Sequence, residues 1–99
     1  MLKNSFDIIE LYENEVRAVE YELYFNNSSS LNITSANFEI FNSNLDVIVS
    51  RPCMITGNKI STLITEDVTA TKGDYKIIWT IEINNQIYKN RTNLKIREI

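Results

Sequence analysis

The chain has 99 residues, 43% hydrophobic and 23% charged, which fits one globular domain over residues 1–99 and neither a disordered tail nor a membrane protein. Histidine is absent and Cys53 is the lone cysteine, which excludes a Ser–His or Cys–His nucleophile pair, an imidazole metal site and an internal disulfide. A formal charge of −3 argues against nucleic-acid binding through a basic surface.

Ile, Val and Thr, stiff at χ1 and suited to a pleated sheet, make up 28 residues, and the chain order shows where they alternate. Asp7 and Glu10 interrupt the place where a secretory signal carries its apolar core, and no apolar run exceeds three residues, so folding in a reducing cytoplasm is expected, with no membrane partner. Residues 6–11 read as an edge strand. Val19, Tyr21, Leu23 and Phe25 alternate with Glu20, Glu22 and Tyr24, which predicts a half-buried strand. A helix from Glu13 competes for this stretch, but the alternation and the aromatics favour the strand. Ser28, Ser29 and Ser30 form a loop. Ala36, Phe38 and Ile40 then point inward between Asn37 and Glu39, and residues 42–44 turn the chain.

Val47 and Val49 point one way and Ile48 the other, before Arg51 and Pro52. The proline has no N–H to give a ladder and marks a strand end or an edge. Thr56, Gly57 and Asn58 turn the chain into a short strand over residues 60–64, and residues 66–72 form a loop with room for one helical turn. Tyr75, Ile77, Trp79, Ile81 and Ile83 share one face of residues 74–84, with Lys76, Thr80 and Glu82 opposite. Asn84 and Asn85 tolerate the left-handed backbone of a tight turn, and residues 87–97 return with Leu94 and Ile96 inward. Seven or eight short strands without a long helix predict a two-sheet sandwich or a barrel.

Gly73-Asp74-Tyr75-Lys76-Ile77 resembles the corner leading into strand F of an immunoglobulin-like sandwich, where a tyrosine bonds back to the backbone just upstream. Tyr75 takes that position, while Ile77 stands where antibody domains place a cysteine. Trp79 lies on a different strand from their core tryptophan. The order from Ala36-x-Phe38-x-Ile40 through a polar turn, Ile55 to Ile60, Gly73-Asp74-Tyr75 and Trp79 to Leu94-x-Ile96 is similar to small immunoglobulin-like domains of tailed-bacteriophage virions. These include the N-terminal domain of baseplate upper proteins. The resemblance implies an all-β sandwich of about seven or eight antiparallel strands. It further implies a non-enzymatic virion component of the tail, baseplate or head–tail region, folded in the host cytoplasm without secretion.

Phe25, Phe38, Tyr75, Ile77, Trp79 and Ile81 are the expected core. The candidate interface follows the uneven charge: residues 1–50 hold 8 acidic and 2 basic groups, residues 51–99 hold 5 acidic and 8 basic. Glu20 and Glu22 represent the acidic side, Lys89, Arg91, Lys95 and Arg97 the basic side. These are solvated strand faces, or surfaces that meet head-to-tail between copies. Tyr12, Tyr24 and Tyr88 sit at polar or off-phase positions, as surface tyrosines or as contacts for a partner. Cys53 is either a small apolar residue or, with Arg51 nearby, a reactive thiol. Glu66, Asp67 and Asp74 are solvated loop charges or calcium ligands. The expectation is no cofactor, no metal, no catalysis and no nucleic acid. The expected partners are other virion proteins and the chain itself, with a host-surface glycan as the alternative. Residues 6–11 and 87–97 are the edges expected to dock them.

Overall fold

The computed structural model describes residues 8–23 and 33–98. Tyr24, Phe25, the serine loop and the first residues of the proposed N-terminal edge lie outside them. The described elements are β1 (Ile8–Tyr12), β2 (Arg17–Glu22), β3 (Ile33–Phe41), β4 (Val47–Pro52), β5 (Met54–Thr56), β6 (Lys59–Ile64), α1 (Glu66–Thr69), β7 (Gly73–Ile83) and β8 (Gln86–Arg97). They form a five-stranded sheet in the order β1-β8-β7-β3-β4 and a three-stranded sheet in the order β2-β6-β5. The alternative helix over residues 13–22 does not form, because Val19 and Tyr21 bury into the core at a spacing of two.

Trp79 sits between the sheets, fully buried. Its ring lies 5.3 Å from that of Tyr21 on β2 and 6.0 Å from that of Phe38, its register partner on β3. The indole N–H donates to Thr92 Oγ1 at 2.9 Å, so the core's largest side chain leaves no polar hydrogen unpaired. Ile77, Ile81, Ile40, Ile60 and Ile64 are fully buried in the same core cluster. The alternation predicted for β7 is therefore the one observed, with Tyr75 through Ile83 inward.

The tyrosine corner is formed. Tyr75 Oη donates to the carbonyl of Thr71 at 2.5 Å, which ties the start of β7 to the connection above it. That connection holds α1, whose Val68 and Thr69 are buried. Thr69 Oγ1 donates to the Glu15 carbonyl at 2.8 Å and the Thr69 carbonyl accepts from Asn14 N–H at 3.0 Å, which fastens α1 to the β1–β2 turn.

Three local features differ from expectation. β1 joins the sheet parallel to β8, pairing Ile8 with Asn93 and Tyr12 with Arg97, where an all-antiparallel sandwich was expected. β8 is consequently no edge over residues 93–97, because β1 covers it there. On β4, a register shift opposite Ile40 and Phe41 pairs Val49 with Ile40 but Val47 with Phe41. Val49 is buried while Val47 turns to solvent, so the two valines do not share a face.

Candidate interaction surfaces

Lys89, Arg91, Lys95 and Arg97 recur at a spacing of two on β8, opposite in phase to the buried Thr92, Leu94 and Ile96. They therefore line the outer face of the five-stranded sheet. Tyr12 joins them through its register with Arg97 and is half exposed. Glu20 and Glu22 alternate with buried Val19 and Tyr21 and belong to the outer face of the three-stranded sheet. The structure thus puts the acidic and the basic candidates on opposite faces of the sandwich. Tyr88 has the phase of Thr92 and packs against the core, with its hydroxyl donating to Gln86 Oε1 at 2.6 Å. It does not share a surface with Tyr12, so these two tyrosines make no common platform.

Part of the charge asymmetry is neutralised within the chain. Arg97 Nε donates to Glu10 Oε2 at 2.9 Å across the β1–β8 pair, and Lys72 meets Glu98 at 2.9 Å. The hydrogen bond that Arg97 donates to Glu10, with the carboxylate's charge next, raises the Arg97 pKa above its ordinary value. Arg51 reaches Asp67 at 3.3 Å, and Asp67 also holds the Thr65 hydroxyl. Among the described residues no group of three acidic, cysteine or histidine side chains is placed to hold a metal ion. Cys53 is half-buried beside the core, and burial pushes its thiol up to about 12 despite the nearby Arg51.

Two features escape the sequence patterns. The first is the β3–β4 turn, which presents Leu45 at 65% exposure beside half-exposed Val47 and Ile48. Leu45 adopts φ 66°, a left-handed backbone that costs a residue with a Cβ about 1–2 kcal/mol. A leucine among Asn42, Ser43, Asn44 and Asp46 is the signal that could have drawn notice. The second is an open groove of about 460 Å³ between β1 and β2, on the side where the two sheets part. Ile8, Ile9, Ala18 and Val19 line it, together with Glu10, Arg17 and Glu20.

No protein-family model matches the sequence, and no curated protein matches it. Solved structures do match. CopC from Methylosinus trichosporium OB3b superposes with a TM-score of 0.64 at 8% identity, covering 93% of this chain and 83% of that one. The fibronectin(III)-like modules of Clostridium thermocellum CbhA give 0.56 at 13% identity, covering 98% of this chain and 46% of that one. Domains 4 and 5 of the S-layer protein SbsC give 0.51 at 11% identity, covering 98% of this chain and 51% of that one. The chain is an immunoglobulin-like, fibronectin-III-like β-sandwich. At these identities the likeness is one of fold.

Proposed function

We propose that this chain is a non-enzymatic docking module, a structural or adaptor component of a bacteriophage virion that binds other virion proteins and copies of itself. The observation that carries the docking role is the surface itself. Glu20 and Glu22 stand on one outer face of the sandwich and Lys89, Arg91, Lys95 and Arg97 on the other, and β1, β2, β4 and β5 end the two sheets among the described residues. The edge of a sheet can pair its N–H and C=O groups with a strand of another chain. The assignment to a virion is supported by the sequence resemblance over residues 36–96. SbsC, an S-layer protein whose domains share this fold, illustrates such a sandwich in an assembled layer. Folding in the host cytoplasm and incorporation without secretion follow from that assignment.

The test is to purify phage-like particles from the source organism by density gradient and probe them with an antibody against this chain. Co-sedimentation with particles is the expected result. Expression of the chain with none in the particle fraction would overturn the virion role. Binding on a glycan array would favour the alternative of a glycan-binding module, for which Tyr12 and Tyr88, on different surfaces, offer little support.

A further inference from the structure

We infer that the β3–β4 turn is one half of a head-to-tail interface between copies of this chain, with Leu45 seated in the β1–β2 groove of the next copy. This deepens the docking role proposed above and rests on it, but not on the virion assignment.

The turn is built to hold Leu45 outward. Asn42 Oδ1 accepts from the N–H groups of Asn44 at 2.9 Å and Asp46 at 3.0 Å. Asn42 N–H donates to the Asp46 carbonyl and Leu45 N–H to the Asn42 carbonyl, both at 3.0 Å. Among the described residues the other non-glycine positions with positive φ are Asn14, Asn84 and Asn85, where the short amide suits a left-handed backbone. Leu45 breaks that habit, and its side chain stays mostly exposed in the isolated chain. An exposed leucine held in a disfavoured conformation by four hydrogen bonds is what a preformed anchor for a partner requires.

The groove offers the complement on the same molecule. Ile8, Ile9, Ala18 and Val19 in its lining suit an apolar side chain, and it lies beside β1, at the opposite end of the five-stranded sheet from β4. Charge runs the same way. Residues 8–23 carry five glutamates against one arginine, and Glu10 and Glu20 line the groove together with Arg17. Leu45, in turn, shares a surface hollow with two lysines, Lys76 and Lys95, against one carboxylate, Asp74. Anchor and groove at opposite ends leave each pair with one of each unused, so association continues into a ring or a chain.

The experiment is analytical ultracentrifugation of the full chain from micromolar to millimolar concentration, with Leu45→Asn and Ala18→Arg. Ala18 is exposed and lines the groove, so an arginine there blocks it without entering the core. The wild-type chain is expected to gain mass with concentration and to lose it in high salt. Each variant alone is expected to stay monomeric. Their equimolar mixture is expected to form a dimer and nothing larger, one partner giving the intact turn and the other the intact groove. Leu45→Asn is also expected to melt a few degrees above the wild type, because asparagine relieves the backbone. A wild-type monomer at every concentration, undiminished association by Leu45→Asn, or no dimer in the mixture would overturn the inference. So would a lower melting temperature for Leu45→Asn, which would make Leu45 a folding residue. Dimers of Ala18→Arg alone would assign the contact to two β4 edges instead. A monomeric chain found in particles would remove this inference and leave the virion role standing.

Discussion

Thr92 is the residue whose small side chain carries the largest local consequence. It is fully buried on β8 and accepts the Trp79 indole N–H, so Thr92→Val keeps the shape and removes the acceptor. A buried donor left unpaired costs about 1–3 kcal/mol. The expected outcome is a lower urea midpoint with an unchanged slope. Trp79→Ala is expected to cost about 3–5 kcal/mol through the cavity it opens, a large share of a small domain's total of about 5–15. Trp79 and Tyr75 were legible in the sequence because five inward residues on β7 hold one period. Thr92 was not, because a polar side chain between Arg91 and Asn93 adds nothing to the apolar alternation, although it shares the phase of Leu94 and Ile96. Cys53 gives the residue-scale pH dependence. Its folded pKa lies above the ordinary 9.0, at about 12, so between those values the unfolded chain releases a proton that the folded chain keeps. Stability is therefore complete below pH 9 and declines as the pH rises from 9 towards 12. Burial raises the Tyr75 pKa as well, so the difference between wild type and Cys53→Ala in alkaline melts isolates the thiol. Iodoacetamide at neutral pH is expected to leave native Cys53 unmodified, and rapid labelling would contradict its raised pKa.

Turns decide how these strands find one another, and most of them were readable. Asn84 and Asn85 have φ of 52° and 65°, the two successive left-handed residues of a tight hairpin turn between β7 and β8. Glycine reaches that backbone with less strain than asparagine. Asn85→Gly is therefore expected to raise the thermal midpoint slightly, by roughly a few tenths to 1 kcal/mol in stability. A fall in the midpoint would mean that the Asn85 side chain is needed there. Gly57, at φ 60°, does the same service between β5 and β6, as its place in the Thr56–Asn58 sequence predicts. Alternation along a strand states which face is buried, but it carries no information about the neighbouring strand. That is why β7 and β8 were legible as a hairpin, while the parallel docking of β1 on β8 was not. The register shift beside Val47 was hidden for a related reason. One extra residue inverts the phase, and Val47, Ile48 and Val49 read equally well in either phase.

The arrangement of the whole sandwich separates what the sequence could only sort by sign. The acidic and basic residues were visible as two populations along the chain, and folding carries their representatives to opposite outer faces. The tyrosines were not sortable, because a tyrosine that packs its ring inward, as Tyr88 does, looks in sequence like one that stands on a face, as Tyr12 does. The same architecture decides how an edge can be tested. β1 is both an edge and a wall of the core, since Ile9 and Leu11 are buried while Ile8, Glu10 and Tyr12 face out. Deleting residues 1–11 therefore removes two core side chains, worth about 1.5–3 kcal/mol each, and uncovers the outer side of β8 over residues 93–97. That deletion is expected to lower the melting temperature severely or abolish folding, so any accompanying loss of assembly would report on the fold and not on the edge. Glu10→Gln is the informative counterpart. Its ion pair with Arg97 is half exposed on both sides, and such pairs contribute about 0.2–1 kcal/mol. A melt of Glu10→Gln close to that of the wild type, beside a collapsed one for the deletion, would establish that β1 serves the core through its inward residues and leaves its outward ones free for contact.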